Sequence, residues 1–293
     1  MTAETNQTSD AGRKVPTRRI SFEESLQSVP KHFAAEEDLF ASHLMASLSA
    51  VFPDGEDFFV RSVRNYRDKV QDPELKRQVA GFIGQEAIHG REHRAFNDRL
   101  DELGYPVKKF ERFTKKGLAI RERFMPESSN LAATAALEHF TATLAELILA
   151  KPEAREMIGN PAVTDLFVWH ALEESEHKAV AFDVYKAVGG SERLRTFTMN
   201  ILTFGFLVGM AIQVFVSLLG DRETYRRGVL RRSLARASRS PFFTKELWVR
   251  LRDYNRADFH PDDLDTTELV ATWRAQLIGP DGSLTDKLAS TAA

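Results

Sequence analysis

Apolar and polar positions in this chain recur mostly at the three-and-four spacing of helices, and the two-residue alternation of strands is scarce. Residues 36–51 (EEDLFASHLMASLSAV) read as a lead-in helix, stopped by the turn-forming run Phe52-Pro53-Asp54-Gly55. A helix is expected from about Glu56 to Lys69, ended by Gln71-Asp72-Pro73, and a longer one from about Glu74 to Leu103, closed by Gly104-Tyr105-Pro106. Residues 104–128 form a long connection with room for a short helix around 108–123. A third helix covers about 130–150, up to Lys151-Pro152. After Gly159-Asn160-Pro161 a fourth runs from about 162 to 188 and ends at Gly189-Gly190. The pattern predicts an all-α fold. It divides into a polar tail (1–19), a helical bundle (20–190), an apolar helix (191–221) and a C-terminal helical extension (222–293). The tail has no apolar centre, so it reads as disordered rather than as a secretory signal, and the expected location is cytoplasmic.

The chain's 293 residues are enough to bury a sizeable core. A net charge of −2 gives no general attraction for nucleic acid, and none is expected as a partner. The absence of cysteine changes the picture more. It removes disulfides, thiolate zinc sites, iron–sulfur clusters and a thiol nucleophile together, so any metal must be held by His, Asp and Glu, a donor set suited to iron, manganese or zinc.

Those donors recur in a pattern. Glu86-x-x-His89 lies on the second helix and Glu174-x-x-His177 on the fourth, and residues three apart share a helix face. Alone the motif is weak, since chance gives roughly 0.7 occurrences in such a chain. Hairpin arithmetic strengthens it. The turn at Gln71-Asp72 sits 15 residues after Glu56 and about as far before Glu86, so antiparallel helices bring the two to one height. Glu138 and Glu174 are 36 apart, with the break near Glu156 midway between them. Each hairpin thus offers one lone Glu and one Glu-x-x-His, and a long crossover joins the halves. This is the inventory of a two-metal carboxylate bundle, a ferritin-like four-helix fold, with Glu56, Glu86, Glu138 and Glu174 as the catalytic carboxylates. His170 extends the Glu174/His177 stripe to i, i+4 and i+7, within about 60° around the helix.

Plainer readings stand beside these. Glu56 could be a first-turn carboxylate favoured by the helix dipole. Glu138 is harder to explain without a partner, because between Leu131 and Ala150 only it, His139 and Glu146 can carry charge. Glu173 and Glu176 rival Glu174, or are solvated, or support the ligands from behind. His93 continues the Glu86/His89 stripe as a ligand or a ligand's support. His139 reads as a packed side chain, His32 and His43 as structural, and His260 as a buried turn residue.

The runs FPDGEDFFVRSVRNY, FIGQEAIHGREHRAFN, ALEHFTA, WHALEESEHKAVAFDVY and YNRADFHPDD resemble bacterial proteins catalogued as predicted metal-dependent hydrolases, over about residues 18–278. That resemblance implies a ferritin-like metal protein. The His170-x3-Glu174-x2-His177 spacing is also similar to the fourth-helix pattern of di-iron aryl-amine N-oxygenases. Carried over by position, that likeness implies the ligand set Glu56, Glu86, His89, Glu138, His170, Glu174 and His177.

Three functional classes follow. The leading expectation is a di-iron oxidoreductase that uses O2 on a small-molecule substrate, with electrons from an external donor. The alternative is a metal-dependent hydrolase. His89-x-x-Glu92-His93 matches the order of inverted zinc proteases, with Glu92 activating water, but this leaves Glu86, Glu138 and the His170/Glu174/His177 stripe unused. The third is a non-enzymatic metal-binding protein. Residues 196–220 form 25 uncharged positions, roughly 37 Å as a helix and enough to cross a bilayer, followed by Arg222, Arg226, Arg227, Arg231 and Arg232. The segment reads equally as a membrane contact, implying a lipid-like substrate, or as a buried helix or homodimer interface.

Overall fold

The computed structural model describes residues 15–289. The fold is all-α, with thirteen α-helices among the described residues and a single antiparallel bridge, Ile20 to Leu288, in place of any sheet. In chain order the helices are α1 (Glu23–Leu26), α2 (Leu39–Ser49), α3 (Phe52–Arg64), α4 (Pro73–Glu102), α5 (Val107–Phe124), α6 (Glu127–Ala150), α7 (Pro152–Glu156), α8 (Pro161–His177), α9 (Val180–Ala187), α10 (Glu192–Leu219), α11 (Val229–Ala237), α12 (Lys245–Asp253) and α13 (Thr267–Ile278). The tail expected at residues 1–19 falls largely outside the described residues. From Val15 onward the chain packs on the bundle, and Arg18 is buried.

Local chemistry fixes the hairpins. The Asp72 carboxylate accepts the N–H groups of Glu74 and Leu75, and Pro73 takes the first helical position, where its missing N–H costs nothing. Asn160 and Pro161 start α8 in the same way. Gly159, at φ +79°, lies so close to the backbone of Ala34 and Ala35 that a Cβ there would approach within 2.3 Å, so only glycine fits this crossing. α2 ends just before the Phe52-Pro53-Asp54-Gly55 run as expected, but the run itself is the first turn of α3, where Pro53 is tolerated for the same reason as Pro73. The fourth helix also departs from its expected length. It breaks after His177, and α9 begins at Val180.

α3 packs along α4, α6 along α8, and the pairs meet through α3 with α6 and α4 with α8, while α5 carries the chain across between the hairpins. Two apolar clusters fill the interior. One gathers Phe22, Leu26, Phe33, Phe96, Leu166 and Trp169, and the other Phe58, Phe82, Leu131, Leu147, Val180 and Tyr254. Along α4, Phe82 belongs to one cluster and Phe96 to the other, and Glu86, His89 and His93 lie between them. Every residue of α8 from Leu166 to His177 is buried, including three glutamates and two histidines, and this charge inside the core is costly unless it is compensated.

α10 is neither the buried helix nor the free-standing span that the sequence allows. One side packs on α6 and α2, burying Met199, Met210, Gln213, Val214 and Leu218. The other side exposes Phe197, Ile201, Phe204, Val208, Ile212, Phe215 and Leu219, whose spacing keeps them within about 80° around the helix.

Candidate metal centre

The seven residues Glu56, Glu86, His89, Glu138, His170, Glu174 and His177 come from α3, α4, α6 and α8 and meet in the polar layer between the two clusters, all buried. Glu174 stands at the middle. Its Oε1 lies 3.0 Å from His170 Nε2, 3.5 Å from His177 Nε2 and 3.6 Å from His89 Nδ1. His170 Nε2 is also 3.7 Å from Glu56, and His177 Nε2 is 3.1 Å from Glu86 and 3.3 Å from Glu138. The donors fall into three overlapping groups: Glu56, His89 and His170; Glu86, His89 and Glu174; and Glu86, Glu138 and His177. Glu86 and His89 each belong to two of them, so the three groups form one continuous cluster.

Polar atoms without partners gather here. Both carboxylate oxygens of Glu56, Glu86 and Glu138, together with His89 Nδ1 and His177 Nε2, are buried with no hydrogen bond. Native interiors rarely leave such groups unsatisfied, and eight around one point are a donor set that could hold cations. The oxygen-and-imidazole donor set fits iron, manganese or zinc, and four carboxylates match the charge of two divalent ions.

Without a metal the centre's electrostatics are strained. Burial, then Glu86, pushes Glu56 well above the carboxylate range, and burial, then Glu138, does the same to Glu86. Glu138 is pushed up to about 7, by burial first and then Glu174. Burial pushes Glu174 in the same direction, but His177 and His170 outweigh it and hold Glu174 well below its ordinary value. His177 is raised against its own burial because Glu174, Glu138 and Glu86 surround its Nε2. Burial, then the neighbouring His170, keeps His89 and His93 neutral.

Each imidazole presents one nitrogen to the centre and anchors the other outside it, as metal-ligating histidines do. His89 Nε2 meets Glu173 at 3.1 Å, His170 Nδ1 meets His93 Nε2 at 2.7 Å, and His177 Nδ1 meets Gln85 Oε1 at 2.9 Å. His93 in turn meets Ser49 Oγ through Nδ1, so both its ring nitrogens are taken by protein and it supports His170 from behind. Glu173 and Glu176 are not solvated. Both are buried and clamp Arg18, at 2.8 and 2.7 Å, and Glu176 also accepts from Gln85. Burial pushes Glu173 up to about 8 against the pull of Arg18.

Glu92, the water-activating residue in the inverted-zincin reading, lies apart. It accepts the Phe22 N–H at 2.7 Å and pairs with Arg91. With Glu92 turned to the α1 segment and His93 occupied, that motif has no site. His139 packs on Tyr254 and Phe259. His260 is half-exposed, not buried, and caps a short turn while meeting Asp183 at 2.8 Å. A second donor group, His32, His43 and Asp221, is already compensated: Asp221 contacts both rings and Lys31.

Four supporting side chains had no sequence signal: Arg18, Gln85, Thr141 and Ser49. Thr141 Oγ1 donates to Glu174 Oε2 at 2.5 Å. It also lines, with Glu56, a cavity of about 270 Å³ walled by α5 and α10, and Glu56 is the one of the seven donors on that wall.

A helical bundle holding buried carboxylates and imidazoles at one level defines a metal protein. The chain belongs to the family described as "predicted metal-dependent hydrolase", whose sequence model matches residues 16–265. No curated protein and no solved structure matches it.

Proposed function

We propose that the protein is a two-metal enzyme, held in a ferritin-like bundle, that acts on an apolar small molecule, hydrolysis being the reaction its family description names. The observation that carries this reading is the set of eight unpartnered donor atoms converging inside the bundle. Glu56, His89 and His170 would hold one ion, Glu138 and His177 the other, with Glu86 and Glu174 between them. Bound there, divalent ions supply Lewis-acid activation of water, or, if redox-active, reduction of O2.

The protein's own residues set the rest. Glu56 is the carboxylate on the cavity wall, and neither of its oxygens is tied to a protein donor, so it can accept a proton or shift without breaking a hydrogen bond. Thr141 fixes Glu174, while Glu173, His93 and Gln85 fix the three imidazoles. Phe52, Phe59, Leu137 and Phe140 line the approach and exclude bulk water.

A second reading, O2 chemistry, is favoured by the lone Glu56 and Glu138 and the two Glu-x-x-His pairs, the inventory of di-iron carboxylate bundles, to which His170 adds a third imidazole. It would require an external electron donor. Elemental analysis of protein purified without added metal, paired with turnover of a long-chain nitrophenyl ester under argon, separates the two. The expected result is about two ions per chain. Ester turnover without O2 supports hydrolysis, and iron with an O2-dependent optical change in the reduced protein supports the second reading. A protein that retains no transition metal and regains none on titration would sink both.

The location fits a cytoplasmic protein resting on the membrane surface. α10 lies along α2 and α6, so its exposed apolar face meets lipid sideways instead of crossing it. The exposed Arg227, Arg231 and Arg232 follow at its end and make no ion pair among the described residues, which suits anionic headgroups. Flotation with phosphatidylglycerol vesicles is expected, and its loss on Phe204→Ser with Phe215→Ser. Wild-type protein that stays at the bottom of the gradient as a dimer would assign this face to a second copy.

A further inference from the structure

We infer that the ligand of this centre is a single-chain amphiphile of the fatty-acyl kind, its polar group in the small cavity beside Gln213 and its hydrocarbon tail in the larger cavity next door. This rests on the two-metal reading for the position of the reacting atoms, but not for the cavity itself.

The larger cavity measures about 820 Å³, within the range of ligand pockets, roughly 300–1,000 Å³. It shares Leu48, Phe140, Leu144, Phe206 and Met210 with the small cavity, so the two adjoin along one wall. Leu44, Ile148, Phe167, Val214, Leu230 and Leu247 continue the larger lining, which suits methylene groups and offers a polar ligand little. Glu56 and Thr141 are on the wall of the small cavity, so a chain lying across both cavities can bring one end to the metal centre.

Gln213 sharpens the ligand's chemistry. It is 9% exposed, lines the small cavity and leaves its Oε1 without a hydrogen-bond partner. A buried amide oxygen left bare is costly, and the space before it is the place for a ligand's donor. A protonated carboxyl, hydroxyl or amide at the head of an alkyl chain satisfies it; a plain alkane does not.

The glycines point the same way. Gly55, Gly117, Gly205 and Gly209 all line the small cavity, and at each a Cβ would meet nothing within 4 Å. Glycine inside a helix weakens it relative to alanine, and Gly117, Gly205 and Gly209 lie inside α5 and α10. Where such glycines line a cavity they leave its wall without side chains, and Gly209, the half-buried one of the three, is the position to fill. The Gly205-x3-Gly209 spacing would suit close helix pairing in a membrane, but here it forms a cavity wall with α5 on the other side.

The test is a fluorescence titration of the metal-loaded protein with cis-parinaric acid, whose emission rises in apolar surroundings. Saturable binding is expected. Gly209→Leu fills the small cavity and should weaken binding by at least about tenfold with metal content unchanged. Gln213→Leu should weaken the fatty acid while leaving a matched alkane as it was. A second measurement needs no variant: with Mn(II) in the centre, paramagnetic broadening of a carbon-13-labelled fatty acid should be strongest near its polar end. Unsaturable partitioning, undiminished binding to Gly209→Leu, or broadening absent along the whole chain would overturn the inference. Metal retained without parinaric binding refutes this proposal alone. Parinaric binding that Gly209→Leu abolishes in a chain without metal refutes the two-metal reading and leaves the cavity assignment standing.

Discussion

Glu174→Ala is expected to empty the metal centre. Its Oε1 faces three imidazole nitrogens within 3.6 Å, and Thr141 holds its other oxygen. Among the carboxylates of the set it is the one that touches three imidazoles. Its removal takes one negative charge from the cluster and leaves His170 and His177 without the carboxylate between them. Metal content should fall from two ions per chain to one or none, and activity should vanish with it. Gln85→Leu provides the graded comparison. It leaves all seven donors but frees the outer nitrogen of His177, and loss of such a partner typically costs about 10–100-fold in metal affinity. Elemental analysis and chelator competition read both. Glu174→Ala with wild-type metal content and affinity would show that the four carboxylates do not act as one ligand set.

The second large effect concerns pH. In metal-free protein Glu56, Glu86, Glu138 and His177 all bind protons more tightly folded than unfolded, since their folded values are raised. Stability changes with pH as the unfolded state's bound protons minus the folded state's, so these groups make it fall as pH rises. The neutral buried histidines His89, His93 and His139 act in the opposite sense, but only below about 6.5, where the unfolded imidazole takes up a proton. Glu174, held low, matters only in more acid solution. From about pH 6.5 upward the apo protein should therefore lose stability steadily, through the value near 7 for Glu138 and beyond.

Metal reverses the trend, because donors must shed protons to bind it. A site saturated a thousandfold over its Kd adds about 4 kcal/mol. At 2–4 °C per kcal/mol for chains of 150–250 residues, that is a rise in Tm of roughly 10 °C. The gap between loaded and chelated protein should widen from pH 6.5 to 8.5. Thermal melts across that range check it, and a gap that narrows with pH would mean the carboxylates are not what the metal displaces.

The sequence carried the bundle and its donors because helical spacing and hairpin symmetry are local quantities. Pro73 and Gly104 bound α4 within a residue of expectation. Boundaries failed where one residue type serves two purposes: Pro53 opens α3 although proline more often closes a helix, and the break after His177 has no glycine or proline to mark it. The supporting residues were illegible for another reason. Arg18 reaches Glu176 across 158 positions and Gln85 reaches His177 across 92, and no local pattern encodes contacts at that range. Glu92 misled because a motif five residues long says nothing about which way a buried carboxylate turns, and here it turns to the Phe22 N–H. The two-sided character of α10 was equally hidden, since uniform apolarity conceals which face the bundle covers.

The Arg18 clamp has a consequence for biosynthesis. Arg18 fixes Glu173, which orients His89, yet the segment carrying Arg18 is itself fastened by the Ile20–Leu288 bridge and by the Ala289 N–H on the Arg19 carbonyl. A polypeptide still emerging from the ribosome has every donor long before it has that fastening. That late fastening ties the chain of contacts from Arg18 through Glu173 to His89 to residues near 288, the last part of the described chain to be synthesised.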